Sequence, residues 1–207
     1  ELGRGPGGGH LLGAGRIEQC TRLVDLRART GLGRAEAAAA GREPAARIPV
    51  SNIHPMPMSE AIGETRGAAW AAARYEVELR AAGLPEEAGW PVFDLVLLGM
   101  GPDGHVLSVF PGSETFDRSE WALPVPAPTH IEPHVPRVTL NPHVLDVARA
   151  IVVVVNGAAK AETLATVFGA GRDPRRWPAQ LARRSGVTWF VDEAAAARLP
   201  QQEAPHR

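Results

Sequence analysis

Five β-branched residues in a row, Ile151-Val152-Val153-Val154-Val155, constrain this chain more than any other feature. A run without a polar position has no solvent face, so it reads as a strand buried on both sides. Phe93-Asp94-Leu95-Val96-Leu97-Leu98 is nearly as apolar, and Val187 to Val191 gives a third such strand. Helical patterns lie between and around them. Asn156-Gly157 turns the chain into a helix over 158–168 that Gly169 ends, and Asp192 caps a last helix through Leu199. Arg137 to Leu140 suggests a short strand, after which Asn141-Pro142 opens a helix to about Ala150. Upstream, 59–82 reads as a helix, with Ser59 as N-cap, Trp70, Ala73 and Val77 at helical spacing, Gly63 and Gly67 as positions that delay its true start, and Gly83 and Pro85 at its end. Strands that alternate with helices predict an α/β domain whose parallel sheet is covered on both faces.

Residues 1–47 do not share this pattern. They hold 10 of the 22 glycines, no Phe, Trp or Tyr, and four consecutive alanines at 37–40. Small side chains bury little area, so a poorly packed leader is expected, with a weak element at 17–26 and an Ala-rich helix at 34–47. Its Arg-Gly-Ala bias is also what a shifted frame of a GC-rich gene would give. The chain therefore divides into an atypical segment at 1–47, an α/β domain at 48–199 and a tail at 200–207. The net charge of −1 supplies no field for nucleic acid, and no apolar stretch is long enough for a membrane helix. The lone cysteine, Cys20, fits a cytoplasmic protein. Oligomeric state leaves no signal.

Three constellations can carry chemistry. Gly99-Met100-Gly101-Pro102-Asp103-Gly104-His105 follows a predicted strand, where open α/β sheets place their ligands. Gly99, Gly101 and Gly104 let backbone N–H groups approach a ligand and stabilise negative charge on an oxygen. His105 suits general-base work, and Asp103 can orient its imidazole. The glycines spell the letters of a dinucleotide fingerprint, but Phe110-Pro111-Gly112 breaks the helix that should follow, so no nicotinamide or flavin is expected. Lys160 is the sole lysine among 22 basic residues and sits in the first turn of a helix. There it opposes the helix dipole unless it meets an anion such as phosphate. Arg137, at a strand start, has the planar fork that clamps phosphate. His54, His130, His134 and His143 read as structural or exposed. Pro133 argues against a helical metal pair of His130 and His134, so no metal site is expected.

The stretch from Phe93 to His105, continued by Ser108-Val109-Phe110-Pro111-Gly112-Ser113, resembles the signature of 6-phosphogluconolactonases. The likeness extends over Asn52–Pro57, Arg137–Leu140, Asn156–Glu162 and Val187–Leu199, roughly three quarters of the chain. It implies a three-layer α/β/α domain with a mostly parallel, Rossmann-like sheet. It further implies hydrolysis of 6-phosphoglucono-1,5-lactone in the oxidative pentose phosphate pathway, without cofactor or metal. In this likeness His105 activates water, and Arg137 and Lys160 hold the 6-phosphate of the sugar lactone. The related glucosamine 6-phosphate isomerases and deaminases carry a glutamate five residues after that histidine, where this chain has Phe110, which favours hydrolysis.

The sequence also departs from the family. A Thr-Gly-Gly phosphate loop and a Gly-Asp-Glu-Arg segment are not found in residues 1–47, and Val106-Leu107 replaces the usual Thr-Ala. A non-catalytic sugar-phosphate-binding homologue is therefore the alternative reading. An amino-sugar-phosphate isomerase or deaminase ranks below it.

Overall fold

The computed structural model describes residue 49 and residues 52–169 and 171–200. The expectations for 1–47, including the weak element at 17–26 and the helix at 34–47, lie outside the described residues, as does the tail from 201.

Along the chain run α1 (Met58–Gly63), α2 (Gly67–Ala81), the two-residue strands β1 (Glu86–Glu87) and β2 (Trp90–Pro91), and β3 (Val96–Gly99). Then come β4 (Ala122–Val125), β5 (Arg137–Leu140), α3 (Val144–Val147), β6 (Ile151–Val155), α4 (Ala161–Phe168), β7 (Val187–Val191) and α5 (Glu193–Ala196). The class is α/β, as the alternation predicts. Strands β3, β6 and β7 form a parallel sheet in that order, with Val96 opposite Ile151 and Ile151 opposite Val187. Strands β4 and β5 form a separate antiparallel ribbon, pairing Ala122 with Leu140 and Val125 with Arg137.

Two cores result. The larger joins alternate residues of the parallel sheet, such as Leu98, Val153 and Trp189, to Leu145, Leu164, Val167, Ala179 and Ala182. In the smaller, Ala61, Ala71 and Ala72 of α1 and α2 pack against Ala122 and Val138 of the ribbon. Trp121, 1 % exposed, locks ribbon to helix. Its indole N–H donates to the Gly89 carbonyl at 2.9 Å, its backbone N–H donates to Glu76 at 3.1 Å, and Arg80 lies over its ring.

Four local expectations need correction. The strand at 93–98 begins at Val96 and is not buried on both faces: Val96 and Leu98 are buried, whereas Leu97 is 47 % exposed. β3 lies at one end of the strand order, and its burial alternates as it does when one face meets the core. The helix at 59–82 is two helices, and the first is capped by Pro57 rather than Ser59. The break falls at 64–66, where Thr65 takes φ 54° and Gly67 φ 75°, values a continuous helix cannot hold. The helix expected from Asn141 is one turn, Val144–Val147, because Asn141 is drawn into the ribbon. It is fully buried, and its amide donates to the Arg118 and Glu120 carbonyls at 2.9 and 3.0 Å while its carbonyl oxygen accepts from His143 N–H. The helix at 158–168 opens with a 3-10 turn at Ala158–Lys160 before α4 begins. Asp192 does cap α5, accepting from Ala195 N–H at 2.8 Å.

Candidate active site

Beyond Gly99 the chain folds into a closed loop that carries the Asp-Gly-His sequence. Gly101 N–H donates to the His105 carbonyl at 2.9 Å, and Gly104 N–H donates to the Gly101 carbonyl at 3.1 Å. Both N–H groups therefore serve the loop itself. The glycines have other reasons to be there. A Cβ on Gly101 would lie 2.1 Å from His105 Nδ1 and 2.7 Å from Asp103 Oδ1, so the imidazole occupies the space a side chain would need. Gly104 takes φ 82° and packs against Trp177 and Thr163, a backbone state suited to glycine. Gly99 differs: a Cβ there would meet nothing within 4 Å, and the residue lines an open cavity.

Neighbouring elements hold the loop from outside. The Thr163 hydroxyl, on α4, donates to the Pro102 carbonyl. Ala179 N–H donates to the Gly104 carbonyl at 2.8 Å. Past the histidine, Ser108 N–H donates to Thr139 Oγ1 at 3.2 Å, which fastens the loop to β5. Val106 is fully buried in the larger core, while Leu107 takes φ 57° and lines the cavity.

The loop sets Asp103 against His105. Asp103 Oδ1 accepts from His105 Nδ1 at 2.6 Å and from its backbone N–H at 3.2 Å. Asp103 Oδ2 accepts from His130 Nε2 at 2.9 Å. Burial pushes this carboxyl upward. The hydrogen bonds from His105 and His130, with the attraction of His105, outweigh that and hold it well below the usual carboxylate range. It stays ionised at neutral pH and fixes Nδ1 of His105 as the protonated nitrogen. Nε2 is left without a hydrogen-bond partner among the described residues, and the ring borders a cavity of about 370 Å³ shared with Gly99, Met100, Gly101 and Leu107.

Phe110 is the common neighbour of His105, His130 and Arg137. Its ring lies 4.6 Å from that of His105 and 5.8 Å from that of His130, and the Arg137 guanidinium sits 5.2 Å above it. Arg137 donates from one terminal nitrogen to the Pro133 carbonyl at 3.0 Å, while its other terminal nitrogen, Nη1, is buried without a partner among the described residues. Such an atom is costly unless a ligand meets it. Lys160 lies one turn before Thr163 and has no ion pair within 4 Å among the described residues. Burial lowers its ammonium, and the charge of Asp192 opposes that. Asp192 itself accepts from Gly157 N–H at 3.0 Å. Arg137 thus adjoins the loop through Phe110, and Lys160 lies one turn along the chain from Thr163, whose hydroxyl reaches Pro102.

His54, His134 and His143 stand apart. His54 pairs with Glu78 at 2.6 Å, His134 with the Pro128 carbonyl at 2.6 Å, and His143 stacks on Trp90. His130 is the residue that sequence reasoning sets aside and the fold brings in. It lies 27 positions from Asp103 in a proline-rich stretch, and no spacing connects the two. Among the described residues, no three His, Cys, Asp or Glu side chains are grouped so as to hold a metal ion. No described helix is long and apolar enough to cross a membrane.

Comparison with known proteins shows the family. The family model for glucosamine-6-phosphate isomerases/6-phosphogluconolactonase matches residues 34–190. A 6-phosphogluconolactonase of Synechocystis is 34 % identical over 153 residues, covering 73 % of this chain and 60 % of that protein. One of Mycobacterium tuberculosis is 37 % identical over 155 residues, covering 74 % and 61 %. Among solved structures, 6-phosphogluconolactonase from Trypanosoma cruzi superposes with a TM-score of 0.63 at 27 % identity, covering 73 % of this chain and 61 % of that one. The chain thus spans about three fifths of the length of these relatives.

Proposed function

Because the chain belongs to the glucosamine-6-phosphate isomerases/6-phosphogluconolactonase family, we propose that it hydrolyses 6-phospho-D-glucono-1,5-lactone to 6-phospho-D-gluconate. The observation that carries this reading is His105. Asp103 holds its Nδ1 at 2.6 Å, its other nitrogen has no hydrogen-bond partner among the described residues, and the residue lines the cavity. That arrangement makes a base for one water molecule. Nε2 takes a proton from water as the oxygen attacks the lactone carbonyl carbon. The tetrahedral adduct then collapses, the bond from that carbon to the ring oxygen breaks, and Nε2 returns its proton to the departing oxygen. Asp103 stabilises the imidazolium in between and keeps its own charge. Since Gly101 and Gly104 N–H groups close the loop, charge on the carbonyl oxygen falls to other donors.

Arg137 and Lys160 hold the 6-phosphate in this scheme. Neither is neutralised by a carboxylate within ion-pair distance among the described residues, and Arg137 keeps a buried donor free. A phosphate would restore the partially desolvated Lys160 ammonium toward its ordinary range. Phe110 supports hydrolysis over isomerisation, because it offers no carboxylate for a second proton transfer. A cytoplasmic location goes with this reading.

The test is the rate of lactone hydrolysis above the spontaneous rate, with His105→Ala and Lys160→Ala alongside. His105→Ala should lower kcat by about 10²–10⁴-fold, the usual share of general-base catalysis. Lys160→Ala should raise KM about tenfold with a smaller change in kcat. One competing outcome, no excess rate but phosphate-dependent binding of 6-phosphogluconate, would make this a sugar-phosphate-binding protein instead.

A further inference from the structure

We propose that His130 is a positioning residue for His105, acting through Asp103; its kinetic consequence rests on the hydrolytic reading above. The Asp103 carboxylate has two oxygens, and the fold gives each a separate duty. Oδ1 takes both donors of His105, the ring at 2.6 Å and the backbone at 3.2 Å. Oδ2 points away from His105 and takes His130 Nε2 at 2.9 Å. The terminal torsion of an aspartate is soft and nearly two-fold, so a carboxylate held at one oxygen can rotate. Held at both, it has one orientation, and His105 Nδ1–H has one acceptor.

The two histidines also share a support. Phe110 meets the His105 ring in a tilted contact at 4.6 Å and the His130 ring edge-on at 5.8 Å. His130 comes from the segment between β4 and β5, whereas Asp103 and His105 come from the loop after β3. The bond to Oδ2 therefore ties the ribbon to the catalytic loop at the carboxylate itself. His130 is half-exposed and Asp103 is not, with side-chain exposures of 50 % and 15 %. The bond to His130 thus reaches the less exposed carboxylate from a more exposed side chain. Donation from Nε2 to a carboxylate sets the tautomer of His130, just as Oδ1 sets that of His105.

Two variants separate positioning from bulk. His130→Leu keeps apolar volume and removes the donor, and His130→Gln restores a donor amide. We expect His130→Leu to lower kcat about tenfold with KM within about twofold, because a loosened base is misplaced for the water it must activate. His130→Gln should recover to within about threefold of the parent rate. NMR of the imidazole nitrogens gives an activity-independent readout. His105 in the parent should be a single Nδ1–H tautomer, in His130→Leu a mixture, and in His130→Gln single again. An unchanged His105 spectrum in folded His130→Leu overturns the proposal, whether kcat holds or falls. Should His130→Leu not fold, the parent and His130→Gln spectra decide: a mixed tautomer in the parent overturns it. If the parent shows no lactone hydrolysis, the functional reading fails, and the nitrogen spectra still decide the role of His130.

Discussion

Around the parallel sheet, the buried side chains are large: Trp189, Ile151, Leu164 and Met100 are each no more than 2 % exposed. Around the antiparallel ribbon, the buried members of the smaller core are Ala61, Ala71, Ala72, Ala122 and Val138, with Trp70 and Tyr75 packed at its margin and Trp121 buried at the ribbon's start. The first region is filled by side-chain volume. The second is closed by bringing a helix backbone near a two-stranded ribbon, which small residues allow. The site draws on both. Asp103, His105 and Lys160 belong to the loops and turn that follow sheet strands, whereas Arg137 and His130 belong to the ribbon and its connection. His105, the proposed base, is thus anchored in the volume-filled region, and Arg137, the proposed phosphate fork, and His130 in the closely approached one.

If the two regions are built on opposite materials, opposite substitutions should damage them. Trp189→Ala should cost about 3–5 kcal/mol of folding free energy, the loss expected when a buried aromatic leaves a cavity. Chemical denaturation measures it, and a loss below about 1 kcal/mol would mean the sheet core collapses around the gap. At the loop, Gly101→Ala places a methyl where the imidazole now lies. We expect kcat to fall about 100-fold, because the base moves by an ångström or more. In the ribbon core the sensitive direction is enlargement: Ala71→Leu should cost about 1–3 kcal/mol by overpacking, read from the shift in thermal midpoint.

Asp103→Asn probes the join between the regions through pH. Its carboxyl is lowered in the folded chain, so its contribution is complete above the ordinary aspartate value of about 3.9 and disappears as pH falls through the lower native value. The stability gap between parent and Asp103→Asn should be on the order of 1 kcal/mol at pH 7 and close in strong acid. A gap that widens on acidification would place the stabilising charge elsewhere. The smallest effect belongs to the open face of β3: Leu97→Ser should change stability by no more than about 0.5 kcal/mol, as at most surface positions.

This contrast also explains what was legible beforehand. Runs such as 151–155 and 187–191 announce themselves, because a volume-filled core selects large β-branched and aromatic residues. The Asp-Gly-His loop was legible for a different reason, since its glycines and its histidine are contiguous. The ribbon was half visible. Arg137–Leu140 reads as a strand, but its partner Ala122–Val125 contains Pro124, which removes a donor and argues against a strand. Pro124 pairs with Val138 in a two-stranded ribbon, where a missing donor is tolerated on an outer side. In the alanine-rich helical stretch, Gly63 and Gly67 signal a late start, but no residue signals the separate helix before Thr65. His130 could not be assigned from sequence, because its partner is reached only after the chain has returned through β4.

The closed loop has a consequence for the energetics of substrate capture. Gly101 and Gly104 donate within it, Thr163 and Ala179 grip its carbonyls, and Ser108 fastens its exit. The backbone freedom of this segment is therefore surrendered when the chain folds, not when a ligand arrives. Calorimetry of 6-phosphogluconate binding should accordingly find no large unfavourable entropy from loop ordering. The amides of Gly101 and Gly104 should exchange with solvent deuterium as slowly before the ligand is added as after.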